Sequence, residues 1–559
     1  MLTTGLRHYQ RVLQAITCAG LTAALTGSVA AAPQTPKRPN FLVIVADDLG
    51  YSDIGAFGGE ISTPNLDRLA YQGLRFTGFH TAPTCSPTRA MLMSGTDNHR
   101  AGLGSMSELM SPNQRGKPGH EGYLRTDIAA LPEVLQANGY RTLMSGKWHL
   151  GLTPEQDPHA RGFDKSFALL QGAGNHFGAD LSVDPSKGAT YRQNGVTLTS
   201  LPKDFYSSDA FAERLIGFLR DAPKSDGASK PFFALLAFSA PHYPLQALPE
   251  DIARYRGRYD KGFEALREER LNRQAELGLI DLKKPVHALE TGIGSWASLS
   301  NSEKQMASRD MEIYAAMVDR LDLNVGRVLD ELARTGELDN TVVVFLSDNG
   351  AEGSNFDKPR REAVRARIAA SDNRLANRGK ANSYVGYGPG WAQAATAPSW
   401  LHKAFETEGG TRAAAFIRFP GFYRQGEISN AFLSVADIAP TMLEAAGIPN
   451  HNGWFEGRKV QPITGKSWIG YLGGVRDRVY GPLDAVGGEL LGSRVLRQGD
   501  WKLTDPGDGV WRLFNIAADP GETNDLGAAQ PDRRDALAKL WDDYAKDVGV
   551  VLPDERRYP

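Results

Sequence analysis

The sequence predicts an α/β protein: a large mixed, mostly parallel sheet flanked by helices, followed by a smaller C-terminal α+β domain. Three observations carry this. Short apolar runs of β type alternate with helical patterns along most of the chain, the order that builds a parallel sheet covered on both faces. The four clearest runs all end in polar or titratable residues, as strands that feed a crevice do. After roughly residue 470 the pattern changes to short strands and one helix.

The chain has 559 residues, 41% hydrophobic and 23% charged, the make-up of a globular protein, with no internal repeat, heptad or low-complexity tract. Residues 1–32 read as a signal peptide: Arg7 and Arg11 precede an apolar run from Val12 to Ala32, and Ser28, Ala30 and Ala32 offer small-residue cleavage points. A membrane anchor is the alternative. Thr17 and Thr22 interrupt the run, and no other stretch could span a bilayer, so a periplasmic or secreted mature chain without a membrane span is expected. Removing 1–32 takes two arginines from 63 basic groups and leaves 61 against 65 acidic ones, a balance of about −4. That gives no general pull toward nucleic acid. Cys18 leaves with the signal, so Cys85 has no internal partner in a compartment where thiols pair. It is either a buried small hydrophobe or a group kept for its chemistry.

A catalytic domain is expected over 38–470 after a short linker from Pro33 to Pro39. Phe41 to Ala46 reads as a strand ending in Asp47-Asp48. Thr63-Pro64 looks like an N-cap with proline at the first helical position, and Gly73 closes that helix. At the next helix Ser86 can cap and Pro87 can follow it, which puts Cys85 just before the first turn. Leu131 to Asn138 with Gly139 repeats this grammar, and the strand Arg141 to Ser145 then runs into Gly146, Lys147, Trp148 and His149. Phe232 to Phe238 leads to Pro241-His242. A long amphipathic helix, Arg309 to Arg334, feeds the strand Val342 to Leu346 and so Asp348-Asn349. Residues 353–400, rich in basic, Gly and Pro residues, read as a long excursion over the strand ends, where substrate access is shaped. The smaller domain, 471–559, begins with strands at Arg494 to Leu503 and Val510 to Phe514. A turn at Asp519-Pro520-Gly521 and a helix from about Asp532 to Val548 complete it.

Ligands of open α/β sheets bind beyond the carboxyl ends of the strands, so the residues that end these four runs are expected to share one crevice. Cys85 at a helix N-terminus meets free N–H groups and the positive end of the dipole, which favour a thiolate, an alkoxide or a sulfate. Arg89, four residues on, lies on the same side with a fork suited to tetrahedral oxyanions. Asp47, Asp48, Asp348 and Asn349 offer hard oxygen donors from two strand ends, with no Cys or His pair at zinc spacing. Oxygen-only ligation points to one Ca²⁺, with Mg²⁺ second; either pair taken alone is also an ordinary turn sequence.

The run Cys85-Ser86-Pro87-Thr88-Arg89 matches the C-x-P-x-R signature by which sulfatases mark a cysteine for oxidation to formylglycine. Asp47-Asp48-Leu49-Gly50, Gly146 to His149, His242, Asp348-Asn349-Gly350 and Glu408-Gly409-Gly410-Thr411-Arg412 also resemble that family, in its order. From about residue 40 onward the chain is similar to bacterial arylsulfatases of the Pseudomonas type. The resemblance implies an alkaline-phosphatase-like fold and small-molecule sulfate esters as substrates, and a formylglycine-generating machinery that acts on the chain before it folds. It implies metal ligation by Asp47, Asp48, Asp348 and Asn349, with the residue at 85 and the substrate's sulfate completing the shell.

The implied catalytic set is position 85, Arg89, Lys147, His149, His242 and Lys403. Hydrated formylglycine at 85 attacks sulfur with Asp348 as base, His242 with Lys403 meets the departing oxygen, and His149 deprotonates the second hydroxyl to release sulfate. Lys403 is placed only by lying five residues before Glu408, and Glu408, Arg412 and the glycine pair read as support for that loop. Two rivals accompany this reading: a phosphonate monoester or phosphodiester hydrolase of the same superfamily, and a non-catalytic sulfate-ester-binding protein. Tyr384, Tyr387, Trp391 and Trp400 could line the substrate pocket or pack elsewhere.

Overall fold

A computed structural model describes residues 38–555 apart from 222–229, 291, 293, 360 and 423; residues 1–32, expected to be a signal peptide, lie outside the described residues. Five parallel strands form the centre of a ten-stranded sheet, in the order Thr341–Ser347, Asn40–Ala46, Phe232–Ala237, Arg141–Lys147 and Lys165–Leu169. Antiparallel strands extend it at both sides: Ala415–Arg418 pairs with Thr341–Ser347, and Tyr191–Gln193 with Lys165–Leu169. The sheet is therefore mixed and mostly parallel.

Period-two alternation divides each central strand between two cores. Leu42, Ile44 and Ala46 face one core with Phe211, Leu215, Met317 and Val325 from the helices Ser207–Arg220 and Asn301–Arg334. Phe41, Val43 and Val45 face the other, with Leu92, Val134 and Met442 from Cys85–Ser94, Leu131–Ala137 and Ile438–Ala445. Both faces are dry, which is why these strands read as unbroken apolar runs.

Register brings the strand ends level. Ala46 lies opposite Ser347, Val45 opposite Ala237, and Ala237 opposite Gly146, so Asp47, Asp348, Lys147 and the chain after Ala237 emerge on one edge. The approach is close at Gly146, where a Cβ would fall 1.8 Å from the Ala237 carbonyl oxygen and φ is +129°. Only glycine fits there.

Two helix starts differ from the sequence reading. The long helix begins at Asn301, eight residues before Arg309, because Ser300 and Glu303 form a capping box. The helix at the thiol begins with Cys85 itself, with Thr84 rather than Ser86 at the N-cap position, which leaves Pro87 in its first turn. Proline is tolerated there because first-turn N–H groups have no acceptor within the helix.

The C-terminal region carries a four-stranded antiparallel sheet, Ala485–Leu490, Ser493–Gln498, Trp501–Asp505 and Arg512–Asn515, and the helix Pro531–Val548. The single strand expected over Arg494 to Leu503 is a hairpin instead, turning at Gly499-Asp500, with Gly499 at φ +56°. His99 ties this sheet to the segment after the Cys85 helix: its ring nitrogens lie 3.2 Å from Asp97 and 3.2 Å from Glu489, with His99 and Glu489 fully buried.

Burial alone would depress the His99 pKa, but its bonds to Asp97 and Glu489 outweigh burial and push it up to about 10. A raised folded-state pKa means stabilisation that is complete below the unfolded value of about 6.5 and lost progressively as pH rises to about 10. Thermal unfolding followed from pH 7 to pH 10 is expected to show declining stability over that window. A His99→Gln variant should be less stable at pH 7 and lose less over the same range.

Candidate functional site

The strand ends meet at a buried cluster of charges. Asp47 accepts from Lys147 Nζ at 2.7 Å. Asp48 accepts from Lys403 Nζ at 2.6 and 2.8 Å. Asp348 Oδ2 accepts from Arg89 Nε at 3.0 Å and Nη2 at 2.7 Å, while Arg89 Nη1 donates to the Lys147 carbonyl at 2.9 Å. Every one of these side chains is at most 5% exposed. The Arg89 fork is thus engaged by a carboxylate and a backbone carbonyl, not directed at an oxyanion as the sequence suggested.

Cys85 sits over this floor. Its Sγ lies 3.4 Å from Asp47 Oδ1 and 3.8 Å from Asp48 Oδ1. Burial pushes the thiol pKa well up, and Asp348 adds to it against the pull of Lys147 and Lys403. These surroundings favour the thiol over the nucleophilic thiolate.

Asp47, Asp48, Cys85 and His242 bring four potential ligand atoms within 4.8 Å of one another. Asn349 donates its amide to Asp48 Oδ1 at 2.7 Å and to the Gly350 carbonyl at 2.8 Å, while its Oδ1 is buried without a partner. An orphaned hard oxygen beside a carboxylate cluster fits a cation. Burial pushes Asp47 up to about 7, with Lys147 pulling against it and Asp348 adding to it. Asp348 falls to about 2, because Arg89, Lys147 and Lys403 outweigh its burial. Three carboxylates and three cations balance, and Glu352, 3.3 Å from Lys403, adds a fourth acid. An anionic ligand needs more positive charge than these side chains supply, and a divalent ion would supply it.

Two residues of the site hold left-handed backbone: Asp48 at φ +64° and His149 at φ +59°. Such conformations cost energy in non-glycine residues and persist where surrounding structure imposes them. Backbone bonds impose the second one, since Trp148 and His149 donate to the Leu169 and Leu170 carbonyls. His242 is fixed from its own neighbour: Nδ1 donates to the Tyr243 carbonyl, leaving Nε2 3.5 Å from Asp48 Oδ2. Burial, then Lys403 and Lys147, hold its pKa well below the ordinary value.

Lys403 reaches the floor because two loops cross backbone to backbone: Gly350 N donates to the Gly410 carbonyl at 2.9 Å and Lys403 N to the Ala351 carbonyl at 3.0 Å. Glu408 turns away to Lys502 at 2.9 Å and His80 at 3.0 Å, and the Arg412 guanidinium lies 4.1 Å over the Tyr51 ring. They brace the loop.

A cleft of about 530 Å³ opens above Cys85, lined by Glu108, His149, His242, Tyr243, Arg361 and Tyr384, with Glu352 and Lys403 among its other walls. The 353–400 excursion supplies Arg361 and Tyr384, as its position predicted, and contains the helices Glu362–Ala369 and Gly388–Ala395. Of the four aromatic candidates only Tyr384 lines the cleft. Tyr387 stacks on Tyr314, Trp391 packs against Tyr259, Phe263 and Trp296, and Trp400 packs on His287 and Phe514. Glu108, Tyr243 and Glu352 escaped the sequence reading. Tyr243 and Glu352 each stand within a few residues of a marked strand end, and that proximity was the one available signal.

The family model described as "Sulfatase" matches residues 39–448. An uncharacterized sulfatase of Schizosaccharomyces pombe is 48% identical over 538 residues, 93% of this chain and 96% of that protein. An arylsulfatase of Klebsiella aerogenes is 38% identical over 455 residues, 80% of this chain and 95% of that protein. Among solved structures, that of Ps i-CgsB in complex with k-i-k-neocarrahexaose superposes with a TM-score of 0.65 at 24% identity, covering 93% of this chain and 95% of that one. The fold is alkaline-phosphatase-like.

Removing Arg89 would leave buried Asp348 without its hydrogen-bonded ion-pair partner. Arg89→Ala is expected to cost roughly 3–5 kcal/mol in chemical denaturation. In the Arg89→Ala/Asp348→Ala double variant the loss should be smaller than the sum of the two single losses. Simple additivity would contradict the pairing.

Proposed function

The chain belongs to the sulfatase family, and from that premise we propose that it hydrolyses aryl sulfate monoesters to a phenol and sulfate. Position 85 is oxidised from cysteine to formylglycine, and one Ca²⁺ is held by Asp47, Asp48, Asp348, Asn349 and the residue at 85. The observation that carries this reading is the place of Cys85: buried at a helix N-terminus, with its Sγ 3.4 and 3.8 Å from two carboxylates that with it and His242 could hold a cation. Burial and the neighbouring Asp348 disfavour its thiolate, the nucleophilic form. As a formylglycine hydrate it supplies one hydroxyl for attack on sulfur and a second whose deprotonation expels sulfate, which a plain cysteine or serine cannot do.

Ca²⁺ in this site supplies positive charge against the repulsion between an anionic ester and an oxygen nucleophile. The protein's own groups do the rest. Lys147 and Lys403 hold Asp47 and Asp48 in place while keeping positive charge beside position 85. Arg89 clamps Asp348 and the end of the strand that carries Lys147. His242 and Lys403 meet on Asp48 and are assigned to the departing oxygen. Tyr243, stacked on His242 with ring centroids 4.2 Å apart and edge-on to Phe356 and Tyr384, gives a flat leaving group an aromatic wall. The identity with the Klebsiella aerogenes arylsulfatase supports the aryl preference. Export to the periplasm or medium, with removal of residues 1–32, belongs to the same proposal.

Two measurements test it together. The tryptic peptide containing position 85 is expected to be about 18 Da lighter than its cysteine form, the difference between a thiol and an aldehyde. Cys85→Ala should lower hydrolysis of 4-nitrophenyl sulfate by at least about 10³-fold. Full activity with an unmodified cysteine, or faster turnover of a nitrophenyl phosphonate than of the sulfate, would overturn the reading.

A further inference from the structure

We propose that Glu108 is a positioning residue for sulfate release: it holds His149 by Nε2 and so presents Nδ1 as the nitrogen that takes the proton. The inference rests on the reading of position 85 given above.

The geometry begins with the loop. Glu108 lies between Met106, 6% exposed, and Leu109, 2% exposed, and both pack in one cluster with Ala404, Leu490 and Leu491. The loop is thus pinned beside Lys403 and against the C-terminal sheet, although Glu108 itself keeps a side chain 35% exposed to the cleft. Its carboxylate lies 3.2 Å from His149 Nε2.

The imidazole has little freedom otherwise. It is 8% exposed, and Gly172 packs so closely on it that a Cβ there would fall 2.4 Å from Cε1. A carboxylate only accepts, so Nε2 carries the ring proton of the neutral imidazole, and Nδ1 keeps its lone pair. That Nδ1 is buried and has no protein partner. The ring and Cys85 line the same cleft, which is the ground for taking this unpartnered nitrogen as the acceptor of the proton from position 85.

The charged groups facing His149 are Glu108 across the cleft, and Lys147 and Arg89 from the floor. Burial lowers the imidazole pKa, the two cations lower it further, and Glu108 works against them. Glu108 therefore both selects the tautomer and sustains the basicity of the ring. In the release step the second hydroxyl at position 85 gives its proton to Nδ1. Its oxygen electron pair closes the aldehyde double bond, and the carbon–oxygen bond to the sulfate breaks with both electrons leaving on sulfate. Aldehyde, imidazolium and free sulfate result, and no other reactant is consumed.

The test has a readout that needs no turnover. In the Cys85→Ala chain, ¹⁵N-histidine NMR is expected to show His149 as the Nε2–H tautomer. Adding Glu108→Gln, which keeps the shape and removes the charge, should lower the His149 pKa by about a unit or mix the tautomers. In the oxidised enzyme Glu108→Gln should lower kcat roughly 10–100-fold. KM should change less than about threefold, the acid limb of the kcat profile should move down in pH, and Glu108→Asp should recover part of the rate. An unchanged His149 signal in the Glu108→Gln chain would overturn the inference, as would an unchanged kcat. The NMR measurement reads the pair whether or not position 85 is oxidised, so its failure is separable from failure of the peptide mass test.

Discussion

Three buried carboxylates at adjacent strand ends, each tied to its own cation, are the constraint on which the rest of the structure depends. A lone carboxylate in such a place would be driven to its neutral form by the cost of leaving water. Here Lys147, Lys403 and Arg89 offset that cost at hydrogen-bond distance. The dry, parallel sheet makes the arrangement possible. Its register sets Asp47, Asp348 and Lys147 level, and the close approach at Gly146 keeps neighbouring strands tight where they deliver these groups.

The C-terminal region serves this centre from outside it. Leu490 and Leu491 anchor both the Glu108 loop and the segment around Ala404. Lys502 draws Glu408 and Glu522 into a buried knot, with 2.9 Å to each, and so braces the loop that carries Lys403. Glu108 and Lys403, neither of which directly follows a central strand, are thus placed by the same small cluster. Precision at the cleft comes from packing at its back.

Much of this was legible in the sequence, for a physical reason. Strands covered on both faces announce themselves as apolar runs, and polar residues that end such runs have one place to go, so Asp47, Asp48, Lys147, Asp348 and Asn349 could be gathered at one edge from the chain alone. The Cys85 helix start was misplaced because Ser86-Pro87 has the grammar of a cap, while Thr84 begins the helix without its side chain bonding to it. The Arg89 donors were assigned to an oxyanion because spacing shows which side a residue occupies and not which partner lies there. Glu108 was missed altogether. It stands in an irregular loop, and what brings it to His149 is the burial of Met106 and Leu109 against residues some 300 to 380 positions away, which no local pattern encodes.

Calcium binding is the most direct test of whether the carboxylate cluster holds a cation. Isothermal titration of Ca²⁺ into metal-stripped protein is expected to show one ion per chain, with affinity reduced at least about tenfold by Asp48→Asn and by Asn349→Ala in proteins that remain folded. Absence of binding to the native chain, or binding that both variants leave unchanged, would contradict it.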